Sequence, residues 1–406
     1  MQIHRISSLV TKTVSPGIDG HDDDVLIGHH GMIAPTGPKE AGAVGIYVAP
    51  GLIGVNIVNL GTVSGANAEY SQSIANAVPA AAGVDLNSGR LVNQGSISGG
   101  GGTDNFYGAY KGATGVILTD GLLTNRGNIA GGAGGTSQDY IGVTAGGGTG
   151  VMLSGDGMFI NSNTIIGGAG SNLHNPFYDG GFGGAGGAGV DLSAGTGYNS
   201  GLIAGGSGGS GWNGGSGGNG ATISGGILTN TGTIVGGAGG YGYGSVPHVR
   251  YGGAGGSGIY LDGGTLINAG VIEGGVNGSM VFAAQVSGDG VLELGSGATA
   301  TLQGTCSVAS IAFDPSPVPS SLNVREPGSF TSTISGFGSL DTINLSSVDG
   351  TTSLSFSDGV LTVYGYGKET DHQVTDQLKF AGNYTTANFS FSGAPEGGTV
   401  IGSVAT

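Results

Sequence analysis

Between residues 83 and 273 the apolar positions recur in one order: G-[VI]-x-L, a short turn, then L-x-N-x-G-x-I followed by glycines. Copies are GVDLNSGRLVNQGSISGG from Gly83 and GVILTDGLLTNRGNIAGG from Gly115, then GVMLSGDGMFINSNTIIGG, GVDLSAGTGYNSGLIAGG, ATISGGILTNTGTIVGG and GIYLDGGTLINAGVIEGG. NIVNLGTVSG is a weaker first copy. Within each copy the alternation has period two, which predicts two or three short β-strands with one apolar face. The asparagine falls at Asn59, Asn93, Asn125, Asn161, Asn199, Asn230 and Asn268, with spacings of 34, 32, 36, 38, 31 and 38 residues. Four positions later a β-branched residue follows each time: Val63, Ile97, Ile129, Ile165, Ile203, Ile234 and Ile272.

A repeat of about 35 residues whose strands are too short to bury their own apolar face predicts a solenoid. Stacking in register lays isoleucine over isoleucine and pairs parallel strands between coils at about 4.8 Å. The expected fold is all-β: a right-handed parallel β-helix with glycine-rich loops and a C-terminal β cap module. The recurring asparagines are expected to form a side-chain ladder at a turn, a structural role. The division expected is an N-terminal segment or cap at 1–44, repeats at 45–280, and a C-terminal module at 281–406. That last part has shorter alternating runs (ISGFGSLDTINL, TSLSFSDGVLTVYGYG, NFSFSG) and the proline-rich break DPSPVPSS.

Connections such as 166–189 are longer than a turn and one more strand require, so part of each should bulge outward as a loop. Loops attached at the same point of every repeat stack into a fin. Each carries aromatic residues: Tyr70; Phe106, Tyr107 and Tyr110; Tyr140; Phe177, Tyr178 and Phe182; Trp212; Tyr241, Tyr243 and Tyr251. These rings either pack down to anchor the loops or stay exposed as stacking platforms. As candidate binding residues the sequence offers Tyr107, Tyr110, Tyr140, Tyr178, Trp212, Tyr241 and Tyr243.

Composition sharpens this picture. The 94 glycines among 406 residues follow no strict three-residue period along the chain, which excludes collagen, and they disfavour helix. An apolar share of 37 % with 9 % charged residues argues against disorder. A net charge of −16 with ten scattered Lys and Arg excludes phosphate-backbone binding, so no nucleic-acid partner is expected. The lone Cys306 forms no internal disulfide and reads as a small buried apolar residue. The N-terminus MQIHRISSLVTKTVSPG has no apolar core of a standard secretory signal, and no stretch is long enough to span a membrane as a helix.

With the tail elements ISGFGSLDTINL and GNYTTANFSFSGAPEGGTVI, the L-x-N-x-G-x-I-x-GG copies resemble secreted β-helical adhesin-like proteins of Gram-negative bacteria, of the autotransporter-passenger and haemagglutinin-like kind. The resemblance spans about residues 45–400, without a translocator barrel. It implies a secreted or cell-surface protein exported by a C-terminal, type I-like signal rather than a cleavable one. The partners it implies are cell-surface or matrix glycans or proteins, or further copies stacked end to end.

Chemistry is sparse. GGAGVDLSA, from Gly186, approaches a calcium-roll repeat, but Ser193 stands where a large apolar residue belongs. Asp22, Asp23 and Asp24, flanked by His21, His29 and His30, read as a solvated segment, and neither a metal nor a cofactor is expected. Asp85 and Asp191 hold equivalent positions three coils apart, about 14 Å, farther than paired glycosidase carboxylates. Asp262 and Glu273 could approach one another near the last coil. The sequence therefore favours a non-enzymatic adhesive or structural surface protein, with self-assembly into filaments as one form of it, a polysaccharide lyase or hydrolase as the alternative and an ice-binding protein as a third reading.

Overall fold

The computed structural model describes residues 3–16, 24–36, 43–52, 54–69, 78–103, 109–135, 144–173, 181–243, 251–278, 286–302, 308–324, 330–367, 372–394 and 397–404. Among them the chain is all-β apart from a 3₁₀ turn at Thr386–Asn388. Cys306 and the Asp22 and Asp23 carboxylates lie outside the described residues. None of the described helices is long and apolar enough to cross a membrane.

Three long sheets dominate, and the chain visits them in a fixed order. One pass runs through Val84–Leu86, Arg90–Asn93 and Ser96–Ser98, and the next through Val116–Leu118, Leu122–Asn125 and Asn128–Ala130. Each strand pairs in parallel with its equivalents one pass earlier and one pass later, so backbone groups are satisfied between passes. The resulting sheets contain 15, 9 and 8 strands. The 15-stranded sheet already includes Ile3–Ile6 and Asp24–Ile27, both before residue 45.

Strand alternation decides what faces inward. Val84 and Leu86 are buried while Asp85 between them is half-buried, and the same pattern recurs at Val116–Leu118 and Val190–Leu192. Ile97, Ile129, Ile165, Ile203, Ile234 and Ile272 are direct register partners in one continuous row. In the neighbouring sheet the inward row reads Leu91, Leu123, Phe159, Gly197, Leu228, Leu266. Phe159 is fully buried, and a Cβ at Gly197 would run into its ring. The largest side chain of the row is thus seated beside its smallest, which keeps the total volume near that of two leucines.

After Leu294 the 15-stranded sheet continues through Ser310–Phe313 and Thr333–Ser335 and closes on Gln373–Phe380, Val360–Gly367 and Val348–Ser357, the last two antiparallel. A five-stranded sheet starts at Thr299–Leu302 and also turns antiparallel at Thr399–Ser403 and Phe389–Gly393. Phe313, Phe337, Phe356, Phe380, Tyr384 and Phe389 pack ring on ring between these sheets. Antiparallel strands and an aromatic core thus end the parallel stack.

Candidate functional site

The seven asparagines end the middle strand of their passes and are almost completely buried. Nδ2 of each donates to Oδ1 of the next at 2.7–2.8 Å, from Asn59 through Asn93, Asn125, Asn161, Asn199 and Asn230 to Asn268. The second Nδ2 hydrogen goes to a backbone carbonyl, as from Asn93 to Asn128 and from Asn125 to Thr164. Several Oδ1 atoms accept a second bond from the backbone two residues on, as at Gly127 and Gly201. Inside the row, hydrogen bonds to both donors and the acceptor offset the cost of burying the amide and leave Asn93, Asn125, Asn161 and Asn199 nothing free to hold a ligand. The row is bounded by apolar register partners, Ile27 before Asn59 and Leu294 after Asn268.

The glycine-rich connections are ordered by a different rule. After the third strand of a pass the chain runs outward, as at 205–211, and then returns, as at 213–220, to the first strand of the next pass. Outgoing segments bond to outgoing segments at every third residue: Gly131 to Ile166, Gly134 to Ala169, Gly167 to Ala204, Gly170 to Ser207 and Leu173 to Ser210. Returning segments do likewise, as Gly183 to Asn213, Gly186 to Ser216 and Gly189 to Asn219. A zigzag of N–H to carbonyl bonds of 2.7–2.8 Å then joins the two layers, from Gly132 to Ala113, Gly148 to Gly132, Gly168 to Gly148, Gly187 to Gly168 and Gly206 to Gly187. The period of three is that of the polyproline II conformation, here satisfied by neighbours on several sides.

This slab needs glycine for room rather than for backbone freedom. At Gly206 the backbone is outside the left-handed region, yet a Cβ would overlap the carbonyl of Gly168. Two positions in three face a neighbouring segment, and the third faces out. The exposed third positions are Ala133, Ala169 and Ser207 on the outgoing face and Ala185, Ser216 and Ala254 on the returning face. The local signal was in the sequence, in runs such as GGAGGAG at 183–189.

At the outer edge of the slab the third positions become aromatic. Phe182, Tyr241 and Tyr251 are 63 %, 61 % and 62 % exposed, and Tyr243 is 51 % exposed. Trp212 occupies the tip between outgoing and returning segments and is half-buried, as is Tyr110. Parallel bridges align Phe182 with Asn213 and Asn213 with Tyr251, while Gly211 pairs with Gly242 and so sets Trp212 beside Tyr243. Of the aromatic candidates, Tyr110, Trp212, Tyr241 and Tyr243 are described; Tyr107, Tyr140 and Tyr178 lie outside the described residues, as do Tyr70, Phe106 and Phe177. Phe182 and Tyr251, absent from the candidate binding residues, share this edge.

A second apolar surface was not singled out from the sequence. On the outward face of the 15-stranded sheet Met158, Ile160, Tyr198 and Ile227 are exposed, each one place from an inward-pointing residue of its strand, Phe159, Gly197 or Leu228. The asparagine offers the signal: the residues one and three places before it point outward.

Among the described residues, neither carboxylate pair suggested by the sequence is brought together in one register row as neighbours. Ile117 and Met152 stand between Asp85 and Asp191 in one register row. Burial pushes both carboxyls above the usual carboxylate range; a hydrogen bond from Asn87 opposes it at Asp85, and the charge of Lys111 at Asp191. Asp262 follows the strand Ile259–Leu261, whereas Glu273 ends Val271–Glu273 in a different sheet. A cavity of about 610 Å³ lined by Thr231, Thr233, Asn268, Glu273 and Thr299 includes Glu273 but not Asp262. No group of three or more His, Cys, Asp or Glu is placed to hold a metal among the described residues. Comparison with known proteins finds no matching family model, no matching curated protein and no matching solved structure.

Proposed function

We propose that this chain is a non-enzymatic extracellular surface protein, a right-handed parallel β-helix that carries a glycine slab and presents the aromatic edge of that slab for adhesion. The fixed visiting order of three parallel sheets supports the β-helical reading, and right-handedness follows the general preference of parallel crossovers. The observation that carries the functional reading is the exposure of Phe182, Tyr241, Tyr243 and Tyr251 at one edge of a rigid, backbone-bonded slab. Large rings on a monomer's surface are normally scattered, and a cluster held on an ordered scaffold marks a contact surface. Weak contacts repeated along such a scaffold add through multivalency. Secretion or surface attachment belongs to the same proposal.

The test is binding of the purified chain to arrayed glycans and matrix proteins, with Tyr241→Ala/Tyr243→Ala as the comparison. Retention on a subset of the array, reduced by the double substitution, is the expected result. Retention nowhere, or retention that ignores these rings, would sink the reading. A second reading, binding to ice or another crystal face, draws on the flat arrays of Ala133, Ala169 and Ser207 and of Ala185, Ser216 and Ala254; absence of thermal hysteresis would remove it.

A further inference from the structure

Three residues on the returning face of the slab form a row of their own. Phe182 and Asn213 are bridged in parallel, as are Asn213 and Tyr251, so they belong to three successive passes at the same register. Phe182 and Tyr251 are the most exposed aromatic residues of that face. Between them the Asn213 side-chain amide makes no hydrogen bond to any described residue, although its backbone N–H donates to Gly181 and its carbonyl accepts from Gly183. The backbones of Phe182 and Tyr251 lie two strand spacings apart, about 10 Å.

We propose that Phe182, Asn213 and Tyr251 form a subsite for an extended neutral polysaccharide, a deepening that rests on the adhesive reading above. The chemistry of the row selects this ligand. A pyranose presents an axial C–H face that stacks on an aromatic ring and a rim of hydroxyls that pair with an amide, which both donates and accepts. Ring, amide and ring in line match a sugar chain running across the passes, with alternate pyranoses on Phe182 and Tyr251 and the hydroxyls between them on Asn213. Charge decides between glycan classes. The segments 181–190, 205–221, 236–243 and 251–261 that build this part of the slab contain no Asp, Glu, Lys or Arg. No cation stands in those described segments to pair a uronate or sulfate; Arg250, just before Tyr251 in the chain, is offset by Asp179, three places before Phe182, and a chain of net charge −16 repels anions, so an anionic glycan is disfavoured.

The row is also open to clean substitution. One slab period inward the equivalent outward positions are already Ala185 and Ala254, so Phe182→Ala and Tyr251→Ala place alanine where the slab already tolerates it. The experiment titrates the full chain with cellohexaose and chitohexaose as neutral probes and with hexagalacturonate as the anionic one. Expected is saturable binding of at least one neutral hexamer, weakened about two- to tenfold by Phe182→Ala or Tyr251→Ala and more by the pair. Asn213→Ala should weaken it while leaving an unchanged circular dichroism spectrum, and hexagalacturonate should bind more weakly. Tyr364→Ala, an exposed ring on the strand Val360–Gly367 and away from the row, should leave affinity intact. Absence of saturable neutral binding, affinity unmoved by all three substitutions, or preference for hexagalacturonate would each overturn the subsite. Retention on an arrayed protein or acidic glycan that depends on Tyr241 and Tyr243 would do so while leaving the adhesive reading standing; no retention on any surface removes both.

Discussion

In the three sheets each pass lays Val, Ile, Leu or Asn over its equivalent, and side chains fill the space between strands. In the slab each pass lays backbone directly over backbone, and a methyl group is already too large at Gly206. Both regions keep the same register because they belong to the same passes, but they tolerate opposite changes. The sheets gain from burying apolar volume and suffer when it is removed. The slab gains from close approach of N–H and carbonyl groups and suffers when volume is added. The same chain thus stacks by two independent rules.

The largest effect is expected where the sheets bury polar atoms. Asn161→Ala removes both the acceptor of Asn125 and the donor to Asn199, and stranding buried amide groups on two sides should cost about 2–4 kcal/mol. Asn268→Ala, at the end of the row, strands one neighbour only and should cost about half as much in urea unfolding. Equal losses at the two positions would mean that the amides act singly. In the slab, Gly206→Val should cost about 1–3 kcal/mol by overpacking, whereas Ser207→Val, one place along but facing out, should stay within about 0.5 kcal/mol. Equal tolerance at both would break the contrast between the regions.

The smallest effect lies on the outward row of the eight-stranded sheet, at Asp85 and Asp191. Their carboxyls are raised by burial, so their favourable contribution is complete below the ordinary carboxylate range and is lost as pH rises through the raised values. Asp85→Asn/Asp191→Asn should therefore be slightly more stable than the parent at pH 7, and the difference should vanish near pH 4 and below. Urea midpoints at the two pH values measure it, and a parent that is the more stable at pH 7 would reverse the assignment.

The sheets were legible in the sequence and the slab was not, for a physical reason. An asparagine with an isoleucine four places on specifies a strand end, a turn and a second inward position within one copy, so the register of Ile97, Ile129 and Ile165 follows from local spacing alone. The slab's period of three is interrupted by three strands in each pass and reverses direction at each tip. Its meaning emerges only when an outgoing run such as 167–173 is laid beside the outgoing run one pass later. Length suggested that the connections bulge out, but length carries no information on the bonds between them. The exposed edge was legible in part. The loop positions of Tyr241 and Tyr243 mark them as binding residues in the sequence, while Phe182 and Tyr251 stand out only through the bridges that join them by Asn213.

The amide row has one more implication. From Asn59 to Asn230 each carboxamide donates from Nδ2 toward the later pass, and the apolar partners Ile27 and Leu294 mark where the row starts and stops. A whole copy inserted between two asparagines would find its donor and its acceptor already waiting, and a whole copy deleted would leave a matching pair to rejoin. The number of copies is therefore a free variable for this architecture: reach along the axis can be lengthened or shortened without inventing a new junction.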